Sequence, residues 1–438
     1  MDMDTHTPLA PESGPPAPAR PPRVHRAWPV AATAALTILV TGAFATLPGL
    51  FTRPVREEFG WSYGSIGVAT SVNMLLYGLM APFAAALMDR FGIRRVATTA
   101  LATVAAGALL TTTVLTEPWQ LTLFWGLLVG LGTGSTAMTL GAAVTQRWFV
   151  RRRGLVTGVL ASASVLGQLV FLPALSRLAG HHGWRAALVT VALAACATAP
   201  VVLLVLRDHP ADSGLKPYGG TDFTPRPSPA RGAVGRTFRV LRRACRIPSF
   251  WLLAAAFAVC GASTNGILWT HFTPAAHDHG MPATTASALL AIVGVFNVAG
   301  TIASGWLTDR FPPRRLLAVC FALRAALLLT LPLSLAATPT PPLLVFVTVF
   351  GLLDLATVPP VLALCREFYG DDSAIVFGWV STAHQLGAAL VALLGGTARD
   401  VFGSYDPVWT AVGTLCAMAA LLSLAIRPAT RVASTLSW

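Results

Sequence analysis

Two charged residues and one imidazole stand inside long apolar stretches of this chain: Arg324, Asp354 and His384. A charge is costly to place in hydrocarbon, so such a residue marks either a working group or a tightly matched pair. The three side-chain types define a narrow chemistry. A buried carboxylate can take up and release a proton, and an imidazole titrates near neutrality and can relay one. A guanidinium can hold a planar anion through two parallel hydrogen bonds. No nucleophile–base or metal-ligand constellation accompanies them. The six cysteines (196, 245, 260, 320, 365 and 416) show no CxxC spacing, and five sit in apolar segments as small hydrophobes. Neither a disulfide, a metal nor a cofactor is expected, and an enzyme is the least favoured class.

Depth can be read from position along each apolar run. Arg324 lies about ten residues into one run, hence ~15 Å deep if the run is a helix. Asp354 lies about twelve residues into the next run from its opposite end, hence ~12 Å from the same edge of a ~30 Å core. The two runs are consecutive and antiparallel, so an Arg324–Asp354 ion pair is expected. One reading is a permanent pair that locks two helices, in which losing one partner strands a charge at about several kcal/mol. The other has Asp354 exchanging a proton or Arg324 meeting an anion. His384 lies about eleven residues into a further run and has the same two readings, proton relay or hydrogen bonding to a neighbour. Gln385, Asn73, Tyr77, Gln168, Asn265 and Asn297 add polar groups, each a ligand or simply helix–helix glue. As a set they suit a small polar solute better than a lipid.

A second kind of charged segment lies between apolar runs. Asp89-Arg90-Phe91-Gly92-Ile93-Arg94-Arg95 is echoed by Asp309-Arg310-Phe311-Pro312-Pro313-Arg314-Arg315, displaced by 220 positions. The same displacement carries Pro54 onto Pro274, Gly60 onto Gly280 and Trp148-Phe149 onto Phe368-Tyr369. It also carries Gly158 onto Gly378, Gly167 onto Gly387 and Gly183 onto Gly403. A single long period reads as a duplicated half rather than a short repeat. Asp89 and Asp309 are expected near helix N-termini, where the dipole favours them. Arg90, Arg94, Arg95, Arg310, Arg314 and Arg315, with Gly92 at the turn, are expected to bridge helix ends as a gate.

The elements that must carry these residues follow from composition. Of 438 residues 54% are hydrophobic and 11% charged, whereas a soluble domain carries roughly 25% charged residues. This is an all-α membrane protein. Twelve runs are long enough to span a bilayer: roughly 28–51, 63–87, 94–115, 119–146, 154–179, 185–206, 250–272, 284–307, 314–334, 342–365, 373–396 and 407–427. They are expected as twelve transmembrane helices in two pseudo-symmetric six-helix bundles, residues 28–206 and 250–427. Residues 1–27 are Pro- and Ala-rich and are expected to be a disordered cytoplasmic N-terminus, and 428–438 a cytoplasmic tail. Ala43-Phe44-Ala45 mimics a signal-peptide cleavage site, but the run is too long and too many others follow it, so the first span is expected to be uncleaved.

The net charge of +13 does not indicate nucleic acid, because the arginines lie in short loops rather than on one face. With the N-terminus inside, 25 of the 31 Lys and Arg fall inside and five outside. Both termini are therefore expected to be cytoplasmic. Residues 207–249 form a basic cytoplasmic linker. Its run Arg236-Thr237-Phe238-Arg239-Val240-Leu241-Arg242-Arg243 is either a solvated linker or a short amphipathic helix on the anionic inner leaflet. The Arg and Ala richness suggests a bacterial source, hence a bacterial cytoplasmic membrane.

Twelve spans, two halves, a central loop and the basic turn resemble the major facilitator superfamily over residues 28–427. Its loop pattern G-x-x-x-D-R-x-G-R-[RK] is matched by Asp89, Arg90, Gly92 and Arg94-Arg95, with Ile93 inserted and Ala85 at the leading Gly. Gly305 keeps that Gly in the second half. Trp148-Phe149-Val150-Arg151-Arg152-Arg153-Gly154-Leu155, Gly351 to Pro360 and Phe377 to Ala388 resemble the bacterial monocarboxylate-porter and oxalate/formate-antiporter branch. The eighth span carries Asn297 in place of an Asp/Arg pair, and the eleventh has no Lys, so neither lactate nor oxalate specificity carries over. The drug-efflux branch fits less well, since no Pro lies between Gly158 and Gln168 and no Arg between Phe124 and Gly134. The resemblance implies a monomeric secondary transporter working by alternating access and coupled to protons. It moves a small organic anion or, as the alternative, exports a hydrophobic or natural-product compound.

Overall fold

In the computed structural model, residues 25–61, 63–223 and 232–426 are described. The expected tail at 428–438 and nearly all of the expected N-terminal segment lie outside them. The described residues are helical almost throughout. The first six spans are Ala27–Phe59, Tyr63–Phe91, Ile93–Thr113, Pro118–Trp148, Arg153–His182 and Trp184–Val205. The seventh is Pro248–Gly261, continued through a π-turn at Ala262–Gly266 into Leu268–Asp278. The eighth and ninth are Ala283–Thr308 and Pro313–Ser334. The tenth is broken into Pro341–Leu353 and Val358–Tyr369, and Ser373–Phe402 and Asp406–Ala425 complete the set. By length and apolarity alone ten helices qualify among the described residues, because span seven is broken at Ile267, just after the π-turn, and spans ten and eleven run together through the short turn Gly370–Asp372. Counting span seven, and spans ten and eleven separately, gives twelve.

The duplicated half is visible in the backbone. Gly60 and Gly280 both have positive φ, as do Gly183 and Gly403, so each pair ends or joins equivalent helices in a conformation other residues avoid. Spans five and eleven begin at Arg153 and Ser373, the same displacement apart. The buried apolar residues fall into two main clusters, one per half. Ala85, Ala86 and Ala142 of the first half reach into the second cluster.

Between the halves, Ala233–Ala244 forms a helix, as the amphipathic reading of the linker expected. Thr237, Val240 and Ala244 are buried, while Val234 and Phe238 stay exposed. This helix turns by 103° into span seven, so it lies across the bundle's arginine-rich end, the end that carries the Asp89 and Asp309 turns.

Candidate functional site

Span ten stops being helical at Asp354 and resumes at Val358. The break has a local cause. Pro359 and Pro360 lack the N–H groups that would bond back to Leu355 and Ala356 in a continuous helix. The Leu355 carbonyl accepts instead from the Val358 N–H at 3.1 Å and that of Ala356 from the Ser304 hydroxyl, and the broken turn also leaves the Leu353 and Asp354 carbonyls without the donors four residues on, in the middle of the membrane. Arg324, 0% exposed on span nine, reaches both: its Nη2 donates to the Leu353 carbonyl and, at 2.9 Å, to that of Asp354. Its Nη1 donates to Ser263 Oγ at 3.0 Å and to Cys260 Sγ at 3.3 Å on span seven. Phe321 and Phe350 rings lie 5.6 Å from the guanidinium carbon.

This corrects the expected ion pair. Arg324 and Asp354 are adjacent, but the guanidinium bonds main-chain oxygens and does not contact the carboxylate. The reason is the break itself, which presents an oriented carbonyl end that attracts a cation as any helix C-terminus does. The Asp354 carboxylate is held from other helices. Its Oδ2 accepts from Asn297 Nδ2 at 2.7 Å and from Trp269 Nε1 at 3.1 Å. Its Oδ1 is buried with no hydrogen-bond partner. Asn297 is fixed in turn by Thr301, whose hydroxyl donates to Asn297 Oδ1 at 2.9 Å. Spans eight and ten come close enough for this because Gly300 faces the Leu352 carbonyl, where a Cβ would lie only 1.9 Å away.

His384 is 3% exposed, its ring 4.8 Å from that of Phe257, and its Nδ1 has no partner. It lies within electrostatic reach of both Asp354 and Cys260. Arg324, Asp354, His384 and Asn297 are thus brought into one buried cluster. The other polar residues are not. Asn73 donates to the Trp125 carbonyl at 2.9 Å, in a π-helical stretch of span four, and so ties span two to span four. Gln385 lays its aliphatic stem on Gly78. Tyr77 and Gln168 are half-buried and Asn265 is exposed on the π-turn of span seven. Trp269, which holds the carboxylate, was not singled out from sequence. Its position four residues after Asn265 was the available signal.

The arginine-rich end is where the halves are tied together. Asp309 ends span eight, and its carboxylate accepts from the Gly154 N–H at 2.7 Å and the Leu155 N–H at 3.0 Å, capping span five of the other half. Asp89 instead sits in the last turn of span two, not near a helix N-terminus as expected. Its own helix end disfavours the charge, and two arginines compensate: Arg147 at 2.7 Å and Arg236 of the linker helix at 2.7 Å. Arg236 also binds Asp372, just before span eleven, at 2.9 Å, and Arg243 stands 3.6 Å from the same carboxylate. Burial works against the Arg236 charge, but Asp372 and Asp89 outweigh it and hold the guanidinium above its ordinary value.

The turn arginines do less bridging than expected. Arg90 lies over the Phe91 ring at 4.9 Å and Arg310 over Trp306 at 3.8 Å. The Arg94 main-chain N–H donates to Asp208 at 2.8 Å, while Gly92 leaves room for that carboxylate. Arg314 only approaches the Ile426 carbonyl, at 3.5 Å, and Arg95 and Arg315 are exposed. A cation that crosses between halves here is Arg236, together with Arg366, which donates to the Gln146 carbonyl at 3.3 Å.

Twelve spans in two like halves, clamped at one end and carrying a buried charged cluster at mid-depth, define a membrane transporter. The chain belongs to the Major Facilitator Superfamily, whose family model matches residues 33–275 and 258–437. It is 26% identical to bovine monocarboxylate transporter 13 over 399 residues, covering 90% of this chain and 88% of that protein. It is 23% identical to the MFS-type transporter YcxA of Bacillus subtilis, with 81% and 84% covered. Among solved structures it is similar to the proton:xylose symporter XylE, with a TM-score of 0.72 at 13% identity, covering 92% of this chain and 96% of that one. These relatives are transporters, not enzymes.

Proposed function

We propose that this transporter moves a small organic anion, monocarboxylate-like, across a bacterial cytoplasmic membrane in company with protons. The observation that carries the reading is the Asp354 carboxylate, buried at a helix break with one oxygen unpartnered, beside a guanidinium already committed to carbonyls. That carboxylate can accept a proton without losing a hydrogen bond. Once it does, the fixed Arg324 charge is left without its nearby counter-charge, which favours an anion. His384 is the proposed relay. Gln168, Gln385, Tyr77 and Asn265, whose side chains make no hydrogen bond among the described residues, are the proposed solute contacts. The similarity to monocarboxylate transporters supports the substrate class.

In this reading the arginine-rich end faces the cytoplasm, as the Lys and Arg distribution favours. The Asp89, Asp309 and Arg236 contacts hold the cytoplasmic side shut in one access state and break in the other. The exposed basic face of the linker helix meets anionic lipid, and the monomer is the working unit. The test is uptake into proteoliposomes of a panel of radiolabelled monocarboxylates with an imposed pH gradient. Gradient-dependent accumulation of at least one acid is expected. If hydrophobic cations or neutral compounds are moved instead and no acid is, the protein is an exporter of another class. A reporter fused within residues 207–248 is expected inside, and one at Pro339–Pro342 outside; the reverse at either site overturns the orientation.

A further inference from the structure

Trp269 joins the buried carboxylate to an accessible surface. It lies just beyond the π-turn of span seven, 39% exposed, while its Nε1 bonds the 2%-exposed Asp354 at 3.1 Å. Asn265, four residues earlier, is exposed too, and its side chain makes no hydrogen bond among the described residues. A primary amide left without partners in hydrocarbon is costly, so the face bearing Asn265 and Trp269 is a water-lined face rather than a lipid-facing one. The second donor on Oδ2, Asn297, is 1% exposed and locked by Thr301. Of the two donors, only the indole can turn to a molecule arriving from that face.

Resting on the function proposed above, we propose that Trp269 is a shared donor, held by ionised Asp354 and handed to an acceptor oxygen of the solute when Asp354 is protonated. The proton goes to Oδ1, the oxygen with no donor, so Oδ2 keeps its bond to Asn297 throughout and its bond to Trp269 until a solute takes the indole. An indole N–H only donates, and its bond to a carboxylate is roughly twice as strong as one to a neutral acid. Protonation therefore weakens the hold of Asp354 on Trp269 at the moment the site loses a negative charge. A solute carboxylate then offers the better acceptor. No covalent bond changes; one proton moves from water to Asp354 and one hydrogen bond changes partner. The other charged or titratable groups that act on Asp354 are Arg324 of span nine and His384 of span eleven, and around Arg324 stand Cys260 of span seven, Cys320 of span nine and Cys416 of span twelve. Spans eight and ten add no further charge at this level among the described residues.

Trp269→Phe keeps the ring and removes the donor. Two measurements are made on purified, monodisperse protein. The first is the protonated-carboxyl infrared band against pH, assigned by its absence in Asp354→Asn. Losing a donor to the ionised form raises the midpoint, by about one pH unit for one charge-assisted bond. The second is uptake of whichever acid of the panel is taken up best. KM is expected to rise about tenfold in Trp269→Phe, with a smaller change in kcat. In the Asp354→Asn background, Trp269→Phe is expected to leave the infrared spectrum unchanged. An unmoved midpoint shows that the indole does not hold Asp354 and overturns the proposal. A raised midpoint with unchanged KM shows that the donor is not passed to the solute and overturns it while leaving anion transport intact. If no acid is transported at all, the functional reading fails and the handover with it. Should Trp269→Phe fold poorly, Trp269→His, which restores a ring donor, is expected to recover the lower midpoint; failure to do so counts against the proposal.

Discussion

The two seams between the halves are built from equivalent segments, and they close differently. Along spans five and eight, Gly154 and Gly305 face each other so closely that a Cβ on either would lie 2.2 to 2.3 Å from the other's backbone. That approach lets Asp309 reach two main-chain N–H groups directly. Along spans two and eleven the positions displaced by 220 are Ala85 and Ala374, both buried. Here Gly378 meets Pro82 and the Thr382 hydroxyl donates to the Gly78 carbonyl at 3.0 Å. At the membrane edge, however, two carboxylates, Asp89 and Asp372, stand on opposite sides of the seam. They repel unless a cation sits between them, and Arg236 supplies it. Phe238 of the same linker helix packs between Phe83 of span two and Trp379 of span eleven, at 5.7 and 5.9 Å. At the membrane edge one seam is thus closed by backbone contact and a helix cap, the other by a separate strap. A duplicated fold can therefore keep its symmetry and still use different chemistry at its two joints.

The largest expected effect tests the backbone seam. Gly154→Val or Gly305→Val places carbon against main chain that cannot retreat, so the arginine-rich end should stay apart. Transport is expected to fall by at least about tenfold, the size of a 1.4 kcal/mol penalty on the closed state. Paired spin labels on spans five and eight should show a longer distance there. An unchanged distance and rate would mean this seam is not closed in the cycle. Ala85→Gly on the strap side makes the converse point and should have little effect.

Next in size is Asp89→Asn, which leaves Arg147 and Arg236 facing a neutral amide. Turnover should drop several-fold with solute binding retained, because the balance of access states changes rather than the solute contacts. Loss of binding with normal exchange would remove Asp89 from the gate. Arg236→Gln should have a similar but smaller effect, and combining the two should add little, since both remove the same tie.

Salt separates the seams more finely. Side chains in the strap are about one-fifth exposed, whereas the Asp309 cap bonds to backbone. Raising salt from about 0.1 M to about 1 M shortens the screening length from about 10 Å to about 3 Å. Thiol labelling of a cysteine placed under the linker helix should speed up, while labelling at the span five–eight seam should not. Equal acceleration at both would show that the two ties do not differ in kind.

The smallest effect is expected at a pair that crosses no seam. At the opposite end, beyond the apolar runs 250–272 and 373–396, Asp278 at the end of span seven's helix binds Arg399 at the end of span eleven's at 2.8 Å, both in the second half. That hydrogen bond holds the Asp278 carboxyl below its ordinary value. A lowered carboxylate stabilises the fold above its unfolded pKa, and the contribution is lost as pH falls through the folded one. Arg399→Gln should therefore cost a little stability near neutrality and bring acid unfolding toward about pH 4. Because the pair is partly exposed, the shift in thermal midpoint should be small, and transport should be unaffected. A transport defect would mean that end also moves through this pair.

Much of this was legible in the chain. Apolar runs of bilayer length, the 220-residue displacement and the placement of arginines depend only on local composition and order, so the spans and their pairing into halves follow from sequence. The buried charges were legible because hydrocarbon makes them conspicuous, and Asp354, Arg324, His384 and Asn297 do meet. Which atoms meet was decided only by tertiary structure. Depth along two helices placed Arg324 beside Asp354, but only the break in span ten offered carbonyls to the guanidinium and turned the carboxylate toward Asn297 and Trp269. Likewise the Asp-Arg-Phe turns promised ties between helix ends. Whether a given aspartate reaches a backbone N–H or needs a cation from a distant linker depends on how closely two helices approach. That distance is set by Gly154 against Gly305 on one side and by Ala85 and Ala374 on the other, a pairing that the displacement of the halves suggests and only the packed bundle makes.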